Sequence, residues 1–193
     1  MNNIIEALRA YVTSFLSENL SDELTFHNIN HTFEVVAAAK EIGMQCGLSG
    51  EEMIVLEVAA WFHNCGYANT YLGHENASKK IAGDFLKNFG CDENFTEAVL
   101  KAIESTKYPQ NPSSLIEKVL CDADLCHLAK PNYPKYEKAL RQEFEIFLKL
   151  TCSDEEWLRK NCSFLTDHTY YTDCGREVLS KFKEINIQKN CPQ

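Results

Sequence analysis

The sequence predicts an all-α single domain. Apolar residues recur every three to four positions along most of the chain, the period of a helix with one buried face. No alternating run of β-branched residues bounded by turn residues occurs, so strands are not expected. No internal repeat, low-complexity tract or long linker marks a boundary, and residues 1–193 read as one unit.

The first helix is expected over about residues 3–18, where Ile4, Ile5, Leu8, Val12, Phe15 and Leu16 form an apolar stripe. Leu20 to Thr25 interrupts it. The second, about 28–45, carries Phe33, Val36, Ala39 and Ile42 on one side and ends near Gly43 and Gly47. Ser49-Gly50-Glu51-Glu52 is a capping box, in which the serine hydroxyl and the glutamate carboxylate reciprocally bind free backbone N–H groups. It opens a third helix, Met53 to His63, apolar nearly all round and ended by Gly66. A fourth, His74 to Phe89, places Ala77, Ile81 and Phe85 in a stripe and stops at Gly90. Asp92 caps a fifth, bearing Phe95, Val99, Leu100 and Ile103. Pro109, Asn111 and Pro112 make a turn, and Pro112 suits the first position of a sixth helix that carries Leu115, Ile116, Val119, Leu120 and Ala123 up to about Leu128. Pro131-Asn132-Tyr133-Pro134 breaks the chain before a seventh, about Tyr136 to Leu150. Ser153-Asp154-Glu155-Glu156 is a second capping box, and a last helix runs from about Asp173 to Ile187.

The apolar share of 45% and charged share of 24% are those of a globular chain rather than a disordered one. A net charge of −9 repels phosphate backbones and argues against nucleic acid as a main partner. A small anionic substrate stays open, because a metal or a local basic pocket overrides net charge. No apolar run reaches the ~18 residues of a membrane span. Met1-Asn2-Asn3-Ile4-Ile5-Glu6 has no basic segment and no cleavage site, so no signal peptide and a cytoplasmic location are expected. Nine cysteines lie scattered from Cys46 to Cys191 with no C-x-x-C pair, which predicts reduced thiols serving mostly as small core residues.

The ionisable residues gather at helix ends. His27 and His31 share one helix face, His63 closes the very apolar third helix just before Asn64, and His74 opens the fourth. Asp122 and Asp124 lie in Leu120-Cys121-Asp122-Ala123-Asp124-Leu125, and carboxylates in an apolar helix need partners. One metal ion satisfies a buried His/His/carboxylate set at once, and such ligands suit Mn, Fe, Zn, Ni or Co. Each residue also has a plainer reading. A lone histidine is satisfied by a backbone carbonyl, and Asp122 faces water with Asp124 as the inward carboxylate.

His31-Thr32-Phe33-Glu34-Val35-Val36, then Ala59-Ala60-Trp61-Phe62-His63-Asn64-Cys65-Gly66-Tyr67, then Asp122-Ala123-Asp124-Leu125 resemble the HD superfamily of metal-dependent phosphohydrolases. That family is all-α and binds metal through a His, a His-Asp doublet and a distant Asp. The resemblance implies an HD-like helical bundle with a motif core over about 26–128 and a C-terminal helical extension over about 134–188. By position, His31 is the first His, His63-Asn64 the doublet and Asp124 the distant Asp. Arg141-Gln142-Glu143, Trp157 and Phe164-Leu165-Thr166-Asp167-His168 look similar to a bacterial branch of the superfamily.

One departure stands out: the doublet is His63-Asn64 where the family has His-Asp. Asn offers a neutral carbonyl oxygen, which holds a cation more weakly than a carboxylate. Two-metal relatives also use two further histidines between the doublet and the last Asp. His74 suits one, but no His occurs between His74 and His127, and the position near Thr106 lacks it. The resemblance therefore implies one divalent ion (Mn, Fe, Ni, Co, Zn or Mg) on His31, His63 and Asp124, with Asn64 a weak fourth ligand. His74 then meets substrate phosphate or water, and Lys107 contacts phosphate. The plainer readings are a surface residue at a helix start and a solvated lysine. Lys79 and Lys80 read as a solvated face. Arg141 and Glu143 either shape the pocket or pair along their own helix. His168 either approaches the site or pins the C-terminal segment, Cys65 lies beside the site, and His27 and His127 read as structural.

What the resemblance implies for function is hydrolysis of a nucleotide or other small phosphoester by a metal-activated water. Asn64 supports an alternative, a degenerate HD domain that binds nucleotide or metal without turnover. A helical scaffold that keeps only a relic of the motif is the third reading. The N-terminal helix either packs on its own domain or forms a homodimer face.

Overall fold

The computed structural model describes residues 2–192, with the side chains of Asn2 and Asn3 excepted. Among them are nine α-helices and no strand: α1 (Asn2–Asn19), α2 (Ile29–Gln45), α3 (Gly50–Phe62), α4 (His74–Phe89), α5 (Glu93–Ser105), α6 (Leu115–Asp124), α7 (Tyr133–Phe147), α8 (Asp154–Asp167) and α9 (Ser180–Asn190). Short 3₁₀ turns follow α3 (Cys65–Ala68) and α6 (Cys126–Ala129), and a π turn, Gly175–Leu179, runs into α9. No helix among the described residues is long and apolar enough to cross a membrane.

Helix α3 is the hub, because past its first turn it is apolar on nearly every side, Glu57 excepted. Val55, Leu56, Val58, Ala59, Ala60, Trp61 and Phe62 are all buried, and α1, α2, α4, α5 and α6 pack around them. Helix α1 lays Ile4, Leu8, Val12 and Leu16 onto this core, so its stripe is covered within the chain. A smaller apolar cluster of Leu128, Tyr133 and Leu165 lies in the C-terminal part.

Local chemistry sets most helix starts. Both capping boxes form, at Ser49/Glu52 and Ser153/Glu156, and Asn28 and Asp92 cap α2 and α5. Gly90 ends α4 in the left-handed conformation at φ 83°. Several expected boundaries are corrected. Helix α6 starts at Leu115 because Ser114, not Pro112, supplies the cap, its hydroxyl accepting from Glu117 N. It stops at Asp124, where the chain tightens into the 3₁₀ turn. Lys130 to Asn132 does break the chain before α7, but the helix starts at Tyr133 rather than near Tyr136, with Pro134 in its first turn.

The core faces of α2 and α4 also differ from the expected stripes. Phe33 is 39% exposed at the rim of Trp61, and Val35 lies inward instead. In α4 the deepest line is Glu75, Ser78, Ala82 and Leu86, with Ala77, Ile81 and Phe85 only half-buried. The reason is Gly66. Helix α3 already ends at Phe62, so Gly66 does not stop it; the 3₁₀ turn instead presses Gly66 onto the start of α4. A Cβ there would lie 1.9 Å from His74 O, and Gly66 N donates to Ser78 Oγ at 2.8 Å.

The cysteines are mostly free, as expected, but Cys162 and Cys191 form a disulfide with Cα atoms 5.6 Å apart, joining α8 to the end of α9. Asp122 does not face water. It is fully buried and accepts from Tyr171 N at 2.7 Å, Thr172 N at 2.9 Å and Thr172 Oγ1 at 2.6 Å. Burial raises its pKa, and these hydrogen bonds oppose the rise. Asp122 thereby clamps the segment before α9 onto α6.

Candidate metal centre

Three helix ends converge beside the core. His31 lies in the first turn of α2, where Asn28 Oδ1 accepts from Asn30 N at 2.9 Å. His63 is the C-cap of α3, and Asp124 is the last residue of α6. One ligand atom from each lies within 4.8 Å of the other two. His31 Nε2 is 3.1 Å and His63 Nε2 3.5 Å from Asp124 Oδ1. His31 and His63 are buried, while the Asp124 side chain keeps 19% exposure and gives the cluster its opening to solvent.

The donor set fits a cation. Ala60 O lies 2.6 Å from His63 Nδ1, and a carbonyl only accepts, so Nδ1 carries the proton. With Nδ1 committed to Ala60 O, His63 presents Nε2 toward Asp124, and that buried nitrogen has no hydrogen-bond partner among the described residues. A cation between this nitrogen and the carboxylate oxygen would satisfy both, and a backbone carbonyl on the far ring nitrogen is the usual support of a metal-binding imidazole. Burial lowers the His31 pKa, with Asp124 opposing, which favours the neutral imidazole a ligand requires. Burial alone would raise the Asp124 pKa, but the two imidazoles hold it well below the usual carboxylate range.

Asn64 is buried next to His63, and its side chain caps neither neighbouring element. His74 lies in an aromatic stack beside the cluster. Its ring is 3.8 Å from that of Tyr67, which also stacks on His27 at 4.2 Å. Burial, with nearby His27, pushes the His74 pKa down to about 3, so His74 is a neutral hydrogen-bonding group rather than a cation. His127 is buried, and its Nδ1 donates to Asp124 O at 3.2 Å, bracing the ligand's backbone. Cys65 is fully buried, which pushes its thiol pKa up, and donates to Trp61 O.

Glu143 and Phe147 of the C-terminal extension reach this wall, Phe147 stacking on Tyr71 at 4.7 Å and Glu143 binding more groups. Fully buried, Glu143 accepts from Phe26 N at 2.6 Å, His27 N at 2.8 Å, His27 Nδ1 at 2.6 Å and Tyr71 Oη at 3.2 Å. With Nδ1–H committed to Glu143, His27 Nε2 accepts from the Tyr67 hydroxyl at 3.1 Å. Arg141 instead faces outward, pairing with Glu145 and Asp154 and lying over Trp157. Tyr67 lies at the end of the segment that carries the resemblance, but sequence context assigns neither it nor Tyr71 a role. Their spacing of four, just past the His63-Asn64 doublet, is the signal that marks them.

Lys107 is not brought to the cluster. It is exposed and lines a cavity of about 500 Å³ with Lys101, Glu104 and Tyr108, separate from His31, His63 and Asp124. Lys79 pairs with Glu104, and Lys80 is exposed. His168 lies away from the three ligands, edge-on to Tyr170 at 4.6 Å, where Lys183 binds its carbonyl.

Nine chains of known structure match this one. One is a crystal structure of a predicted HD superfamily hydrolase from an uncultured Thermotogales bacterium, with a TM-score of 0.63 and 21% identity over 93% of this chain and 87% of that one. At that identity the likeness speaks to the fold alone. No curated protein matches the sequence. The HD domain family matches residues 28–129, more than half of the chain and the segment that contains His31, His63 and Asp124. By that match and by its all-α fold, the chain belongs to the HD domain family.

Proposed function

We propose that this chain is a metal-dependent phosphohydrolase acting on a nucleotide or another small phosphoester. The observation that carries the reading is the buried, partnerless Nε2 of His63 facing Asp124 Oδ1 at 3.5 Å, with His31 Nε2 beside them. His31, His63 and Asp124 would hold one divalent ion, with the Asn64 carbonyl oxygen as a weak fourth ligand. When bound, such an ion supplies Lewis acidity toward water and a phosphoryl oxygen, and a single carboxylate leaves one net positive charge for an anionic substrate.

The remaining residues hold and shape. His127 fixes the backbone of Asp124, and Ala60 O fixes the tautomer of His63. Tyr67 and Tyr71, fixed through His27 and Glu143, form one wall with His74. The Tyr67 ring already stacks on His27 and His74, and the Tyr71 ring on Phe147, so this wall offers hydrogen-bonding edges rather than a free stacking platform for a base. In this reading neutral His74 hydrogen-bonds a phosphate hydroxyl or a water. Lys107 is given no part in the reaction.

The test is phosphate release from a panel of nucleoside mono- and diphosphates and p-nitrophenyl phosphate, with Mn or Co added. Metal-dependent release that is lost in His63→Ala and Asp124→Ala is expected. No release from either the natural chain or Asn64→Asp would contradict the reading. Asn64 supports a second reading, binding without turnover. Its mark would be a nucleotide that raises Tm while remaining intact.

A further inference from the structure

Cys46 and Cys174 are 128 residues apart in sequence, yet their sulfur atoms lie 3.2 Å apart. That separation is inside ordinary van der Waals contact for two sulfurs and about 1.2 Å longer than a disulfide bond. Cys46 is the C-cap of α2, the helix that carries His31. Cys174 lies two residues after Thr172, whose backbone N and hydroxyl are held by Asp122 of α6. The Thr172 hydroxyl oxygen is also 3.3 Å from Cys174 Sγ. Thus the two thiols sit where the helix bearing one candidate ligand meets the segment that clamps the helix bearing another.

The two sulfurs are not equivalent. Cys174 lines a cavity of about 450 Å³ between α2 and the π turn, bordered by Ile42, Gln45 and Leu179, whereas Cys46 does not line it. Both are half-buried, unlike fully buried Cys65 and Cys121.

We propose that Cys46 and Cys174 are a redox-active pair that closes into a disulfide by exchange with a low-molecular-weight disulfide of the oxidised-glutathione type. Cys174 gives its proton to solvent, and its thiolate attacks one sulfur of the small disulfide from the cavity. A protein–glutathione bond forms, and one glutathione thiolate leaves. Cys46 then gives its proton to solvent and attacks Cys174 Sγ, forming the protein disulfide and expelling the second glutathione thiolate. In sum, two protein thiols are oxidised, one small disulfide is reduced to two thiols, and no other reactant is needed. Burial and the neighbouring thiol push the Cys46 pKa up to about 11, which agrees with Cys46 acting second, on a sulfur already beside it.

The bond would join α2 to the start of the last helical segment and restrict opening of the C-terminal part. It closes a long loop, for which a Tm increase of about 5–10 °C is expected.

The experiment treats the folded full chain with oxidised glutathione, blocks residual thiols with iodoacetamide, and maps linked peptides by mass spectrometry without reduction. A Cys46–Cys174 linked peptide and a raised Tm are expected, both absent in Cys46→Ser and in Cys174→Ser. Either variant alone suffices, so failure of one to fold leaves the test intact. Iodoacetamide on both cysteines after treatment, or linkage of Cys46 or Cys174 to some other cysteine, would overturn the proposal. So would a linked peptide with an unchanged Tm, since the pair would then join nothing that opens.

Discussion

The carboxylate of Glu143, on α7, lies 2.6 Å from His27 Nδ1 and accepts from the backbone N–H groups of Phe26 and His27 with its other oxygen. The chain enters α2, and so delivers His31, through this contact. Glu143 lies outside the HD family match of residues 28–129, so the extension supplies a carboxylate that the matched core lacks.

Glu143→Ala is expected to lower stability by about 3–5 kcal/mol, because it strands two buried N–H groups and the Nδ1–H of His27. Glu143→Gln keeps an acceptor oxygen and costs less. Urea unfolding of the three proteins checks the order, and equal midpoints would remove Glu143 as an anchor.

Gly66→Ala would place a methyl 1.9 Å from His74 O and 2.7 Å from Ser78 N, both backbone atoms. The turn after the His63-Asn64 doublet and the start of α4 cannot both keep their places. A loss of about 3 kcal/mol is expected, with weaker metal retention. An unchanged Tm would show that the two backbones can separate freely.

Burial lowers the His168 pKa to about 4, with nearby Lys183 adding to the effect. The unfolded ring titrates near about 6.5, so the unfolded state binds more protons between these values. This group's stabilising contribution is therefore complete above about pH 6.5 and falls as the pH drops toward 4, by about 1–2 kcal/mol after solvent screening. Asp167 and Lys160 line the same cavity, so a single substitution isolates the ring. His168→Phe should flatten the stability profile between pH 6.5 and 4; the same slope in both proteins would assign it elsewhere.

Asn64→Asp adds a negative charge beside His63. Metal affinity about tenfold or more tighter is expected by competition against a chelator. Equal affinity would place residue 64 outside the coordination shell.

What was legible in the sequence was local or carried by a motif. Ser49/Glu52 and Ser153/Glu156 form their capping boxes because all the groups involved lie within four residues. His31, His63 and Asp124 were found by their order, and the structure brings their ligand atoms within 4.8 Å. Illegible parts depended on distant partners. Asp122 looked free to face water because its partners, Tyr171 and Thr172, come from the other end of the chain. Gly66 looked like a helix stop because its close approach to His74 and Ser78 exists only once α4 has docked. The Cys162–Cys191 bond has no spacing signature, and α6 starts at Leu115 because Ser114 outcompetes Pro112 as a start signal.

The central claim is that His31, His63 and Asp124 hold a metal ion. The most direct measurement is elemental mass spectrometry on protein purified without a metal-affinity column, with His63→Ala, Asp124→Ala and Asn64→Asp beside it. The account predicts close to one transition metal per chain in the natural protein and in Asn64→Asp, and loss in both alanine variants. Equal metal in all four proteins, or none in any of them, would contradict it.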